Sequence, residues 1–147
     1  MSLEDECKAF LGALKTADAP SAWTAKRHVD YAECRVPVST ASGTLVEGDL
    51  VMTAHMSRSP QKLGFTLVHR GQRVLGLDVE PGLTHFNAKT KTVVRGTHWQ
   101  DLSGDAEADS RSMDFAGWLA EFCARANLSL RHPCTPPPAI QPPLPFD

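Results

Sequence analysis

His85, Asn87 and His98, with Asp78 one expected strand earlier, are the residues of this chain best suited to acid–base chemistry. They frame the stretch THFNAKTKTVVRGTHW (residues 84–99), which also holds Lys89, Lys91 and Arg95. Imidazole titrates near neutrality, so one ring can take a proton while another gives one. Cleavage of an RNA backbone asks for such a pair: a base for the 2′-hydroxyl and an acid for the leaving oxygen. A cation then stabilises the extra charge on the phosphorane, a role open to Lys89, Lys91 or Arg95. Asn87 can orient a ring or read a base, and the Asp78 carboxylate can fix a ring tautomer. No metal centre and no cofactor is indicated, because no motif places a third ligand such as Asp78 or His55 beside the two histidines. The simpler reading of the same residues is a polar face of a strand turned to water.

The elements that must position these residues follow from periodicity. Ser2 before Glu4, Asp5 and Glu6 starts a helix, and Leu3, Cys7, Phe10, Leu11 and Leu14 form its apolar stripe up to a stop at Asp18-Ala19-Pro20. From Tyr31 the texture turns to short β-like runs: YAECRVPVS, TLVEGDLVMTAHM and LGFTLVHRGQRVLGLDV. The last is a hairpin with Gly71 in the left-handed turn position. Residues 84–99 make a further hairpin about Ala88-Lys89-Thr90-Lys91. Its alternation puts Phe86, Val93, Thr97 and Trp99 on one face, and His85, Asn87, Thr92 and His98 on the other. In that register His85 faces Val94, and His98 lies about 13 Å farther along at about 3.3 Å per residue. A bulge at Gly96 would be needed to bring the rings together. A second helix in SMDFAGWLAEFCARANL buries Phe115, Leu119, Phe122, Cys123 and Ala126 and stops at Asn127. Trp23 and Trp118 read as packing residues. The expectation is an α+β domain over residues 1–131, with an N-terminal and a C-terminal helix on an antiparallel sheet of four to six strands.

Charge and cysteine usage narrow the setting. The net charge of the 147 residues is −2, which argues against a surface basic all over. Between Arg58 and Arg95, however, the only acids among seven Lys and Arg are Asp78 and Glu80, so one part of the fold can face an anion. Cys7, Cys34, Cys123 and Cys134 show no metal-like spacing, and Cys7 and Cys123 fall on apolar helix faces as inert thiols. An acidic start without a signal-peptide pattern and the lack of a long apolar run point to a cytoplasmic protein that does not enter membranes.

Residues 132–147, HPCTPPPAIQPPLPFD, are an extended proline-rich tail, because proline neither donates to a ladder nor continues a helix. It is either a strap on the body or a peptide ligand. Gln141, Leu144 and Phe146 resemble the Gln-x-x-Leu-x-(Leu/Phe) peptide by which bacterial proteins bind the DNA polymerase sliding clamp. The likeness implies a host replication protein as partner, with Leu144 and Phe146 in an apolar pocket and Gln141 at its rim.

Asp78, His85, Asn87 and His98, followed by a helix at 113–126, resemble the TumE-like group of small prokaryotic toxins over residues 63–128. Gly76 stands where that group has Arg, Gln100 where it has a second strand His, and Ala88-Lys89-Thr90 replaces its Pro-Asp-Gly turn. The resemblance implies a small intracellular α+β protein of a bacterium or mobile element, directed at nucleic acid and paired with an antitoxin. Two readings of function stand side by side. One is a metal-independent ribonuclease using His85 and His98. The other is a non-enzymatic binder or inhibitor that docks on a host protein through its tail.

Overall fold

Ser2 caps helix α1 (Leu3–Gly12): its hydroxyl accepts from the Asp5 N–H at 3.1 Å, and Glu4, Asp5 and Glu6 occupy the positive first turn. The computed structural model describes residues 2–26, 30–40, 45–56, 61–80, 84–87 and 91–138, with 84–87 and 92–95 described through their backbone pairing. Helix α1 ends at Gly12, earlier than the Asp18-Ala19-Pro20 stop, because the chain passes directly into strand β1 (Lys15–Ala17). Lys15 makes that early end possible. Its side chain turns back and its ammonium donates to Phe10 O at 2.7 Å, Leu11 O at 2.8 Å and Ala13 O at 2.6 Å. Those are the orphan carbonyls of a helix C-terminus, where a cation is favoured.

Four long strands form the middle of the sheet: β3 (Tyr31–Thr40), β4 (Gly48–His55), β5 (Leu63–His69) and β6 (Gln72–Val79). A one-in-two alternation buries Ala32, Cys34, Val36 and Val38 on β3, Leu50, Met52 and Ala54 on β4, and Leu63, Phe65 and Leu67 on β5. Arg70 (φ 51°) and Gly71 (φ 77°) make the tight β5–β6 turn, as the two left-handed residues of a hairpin loop should. Short strands complete the sheet: β2 (Thr24–Ala25) beside β3, β9 (His98–Gln100) beside β6, β10 (Ala106–Ala108) outside β9, and β11 (Leu128–Leu130) parallel to β1. The path runs β10-β9-β6-β5-β4-β3-β1-β11. Strands β7 (Thr84–Asn87) and β8 (Thr92–Arg95) form a separate hairpin.

The fold is thus α+β with a mostly antiparallel sheet, but the sheet has nine strands among the described residues instead of four to six. The added strands are two or three residues long, too short to show any period. Both helices cover one face. Helix α2 (Phe115–Arg125) is capped by Asp114, which accepts from the Gly117 N–H at 2.8 Å, and Asn127 beyond its end is left-handed (φ 53°). Its Phe122 stacks between Phe65, 5.9 Å away, and Trp99, 6.0 Å away, while Phe10 of α1 stacks on His69 at 4.4 Å. All four cysteines are free, and burial pushes the Cys123 thiol up to about 12. That keeps it a packing residue.

Trp99 anchors β9 through a charged cluster that local reading does not suggest. Its indole N–H donates to Asp109 at 3.0 Å, and Arg111 grips the same carboxylate at 3.0 and 2.7 Å while reaching Glu121 at 3.1 Å. The Arg111 guanidinium holds the Asp109 carboxyl well below the usual carboxylate range. A depressed folded-state pKa stabilises the fold above the unfolded value, about 3.9, and that contribution fades as pH falls through the folded value. Asp109→Asn should therefore cost about 1.5 kcal/mol between pH 5 and 8, with the gap to the parent closing below about pH 4. Urea unfolding at several pH values reads this directly; a gap that widens in acid would refute it.

Candidate functional site

The site is built at the junction between the hairpin and the sheet. Asp78, near the end of β6, is the ladder partner of His98 on β9, so the two side chains share the sheet face away from the helices. The His98 Nε2 lies 3.4 Å from Asp78 Oδ2, and its Nδ1 lies 3.0 Å from the Gly96 carbonyl oxygen. A carbonyl only accepts, so Nδ1 carries a hydrogen there and the ring orientation is fixed. His98 is 1% exposed, whereas the Asp78 side chain is 36% exposed. The expected wet face therefore does not extend to His98. Gly96 (φ 81°) and Thr97 break the chain between β8 and β9, and alternation counted through that break has no meaning.

The hairpin register is the one the sequence suggests: Thr84 opposite Arg95, His85 opposite Val94, Phe86 opposite Val93 and Asn87 opposite Thr92. His85 and Asn87 thus occupy a two-stranded ladder, and His98 belongs to the nine-stranded sheet. The hairpin lies beside β10. Lys91 is exposed in a left-handed conformation (φ 55°) at the end of the hairpin turn. The side chains of His85, Asn87 and Arg95, and all of Lys89, lie outside the described residues, as do Gln141, Leu144 and Phe146 of the tail.

Next to this junction is a second buried charge that the sequence gives no local sign of. Glu80 is 4% exposed and pairs with Lys62 across 3.4 Å. Lys62 also lies over the Tyr31 ring, 5.7 Å from its centre, and Tyr31 meets His55 edge-on at 4.9 Å. His69, stacked on Phe10, has its Nδ1 2.7 Å from Glu47 O. Among the described residues no cluster of three His, Cys, Asp or Glu is arranged to hold a metal ion, and no helix is long and apolar enough to cross a membrane.

Comparison of the chain with family models, with curated proteins and with solved structures gave no match. A general acid must reach its substrate within hydrogen-bonding distance, directly or through one water. His98, enclosed and directed at Gly96 O and Asp78, is arranged instead as a latch: it ties the strand leaving the hairpin to the strand entering it.

Proposed function

We propose that this protein is a non-enzymatic nucleic-acid binder that presents the β7–β8 hairpin to its partner. The observation that carries this reading is the exposed Lys91 at the end of the hairpin turn, in a stretch whose sequence also holds Lys89 and Arg95. The Asp78–His98 and Lys62–Glu80 pairs lie at the root of that hairpin. A cationic hairpin held at a rigid root is suited to phosphate contacts, which set position and affinity without reading sequence. The likeness to the TumE-like group supports the same target class, with RNA as the first candidate and an antitoxin as a protein that would cover the hairpin. Docking on a host replication protein through Gln141, Leu144 and Phe146 is a separate activity of the tail.

Fluorescence anisotropy with labelled single-stranded RNA tests the proposal. Affinity should fall as salt rises, and Lys91→Ala and Arg95→Ala should each reduce the slope of log K against log salt by about 0.7. Equal binding by the parent and the double variant at all salt concentrations would sink the hairpin as the contact. RNA cleavage abolished by both His85→Ala and His98→Ala, in folded variants, would restore the ribonuclease reading.

A further inference from the structure

Beside the start of α2 the structure holds a cavity of about 660 Å³. Its apolar wall is Leu63 of the sheet, Met113, Phe115 and Trp118 at the helix start, and Pro136 and Pro137 of the chain beyond β11, and Thr97 and polar residues of the 109–114 segment form much of the rest. A volume in this range suits a drug-sized molecule or a few apolar side chains. Charged groups at the rim already have partners: Asp114 caps α2, and Asp109 and Arg111 hold each other, with Trp99 and Glu121 as their further partners. These engagements leave the apolar part of the wall as the larger attraction for an occupant. An apolar one finds aromatic and proline surfaces.

The chain itself leads to that cavity. After β11 it runs along the body: the Trp23 indole donates to Thr135 O at 3.0 Å, Cys134 packs on the core, and Gln61 donates to Pro138 O at 3.2 Å. Gln61 is also a lining residue and is held in turn by His55 O at 2.9 Å. Pro138 is thereby fixed at the rim, and the residues that follow it include Ile140, Leu144 and Phe146. A proline-rich segment extends about 3.1 Å per residue, so Leu144 and Phe146 lie within tethered reach. Tethering on a short segment amounts to a local concentration of about millimolar, and the prolines lower the ordering cost of docking.

We infer that this cavity is the seat of the chain's own segment Ala139–Asp147, with Leu144 and Phe146 as its anchors. The same two side chains that carry the likeness to a clamp-binding peptide are then sequestered in cis, and any partner of the tail must first displace them. This inference is independent of the hairpin and its proposed target.

The test is methyl NMR on the full chain, beside a full-chain Leu144→Ser, Phe146→Ser double variant. The wild type should show contacts from the Leu144 methyls to Met113 and Leu63, and the double variant should shift the Met113 and Leu63 methyl signals. Each lost anchor weakens docking by about thirtyfold, so the emptied cavity should also admit an apolar fluorescent dye that the wild type excludes. Identical Met113 and Leu63 signals in the two proteins would overturn the inference. So would contacts seen only between differently labelled copies in a mixed sample, which would assign the segment to a second chain.

Discussion

Replacing Lys15 with alanine should lower stability by about 3–4 kcal/mol, although the residue has no part in either proposed contact. Lys15 is 2% exposed, a rare position for an ammonium. Burial pushes it down to about 8, which leaves it charged at neutral pH, and the three carbonyls at the negative end of α1 favour that charge. With the ammonium gone, Leu11 O keeps a donor in the Asn127 amide at 3.1 Å, but Phe10 O and Ala13 O lose the one given by Lys15. An acceptor left unsatisfied inside a protein costs about 1–3 kcal/mol, and the lost aliphatic stem adds to this. Lys15→Met keeps most of the stem, so its difference from Lys15→Ala separates packing from hydrogen bonding. Urea midpoints at constant slope give both values. A loss below about 1 kcal/mol in Lys15→Ala would mean that water replaces the ammonium, and the capping role would fall.

The second large effect is expected at His98. His98→Ala should cost about 2–3 kcal/mol, from the cavity it opens and from the bond to Gly96 O and the contact with Asp78 that it removes. Asp78→Ala, at a side chain one third exposed, should cost about 1 kcal/mol. Hydrogen exchange should show the loss concentrated in β9 and at the root of the hairpin, because the latch joins those segments. A His98→Ala protein as stable as the parent would show that the ring is not a latch, and would reopen its candidacy as a general acid.

These two residues also mark where reading the sequence stops. The long strands and both helices are legible because β3, β4 and β5 alternate over seven or more residues and the helices carry apolar stripes, the first behind a cap at Ser2. The hairpin register from Thr84 to Arg95 is legible because centring the turn on residues 88–91 fixes which residues face each other. Strands β1 and β11 are not, since three residues hold no period and their pairing joins distant parts of the chain. Nothing in the sequence signals the burial of Lys15, because lysine is ordinarily a surface residue and only the returning helix end explains its place. Alternation counted through Gly96 puts His98 on a polar face, although the strand ends at Arg95. The Asp109–Arg111–Glu121 cluster and the Lys62–Glu80 pair arise from contacts between elements, and no spacing rule announces them.

The parallel pairing of β1 with β11, Lys15 against Leu128 through Ala17 against Leu130, has a consequence for how the protein is made. A ribosome releases β1 early and β11 only near the end of the sheet's sequence. At ordinary synthesis speeds the interval is on the order of ten seconds. During that time β3 can already cover one side of β1, while its other side awaits a partner that has not been translated. An open strand edge recruits neighbouring chains, and the hazard grows with its length. Three residues make a poor template for another nascent chain on the same messenger. The shortness of β1 therefore limits the risk of crosswise pairing during translation, and lengthening it should raise the aggregated fraction in a cell-free synthesis reaction even where the finished protein is more stable.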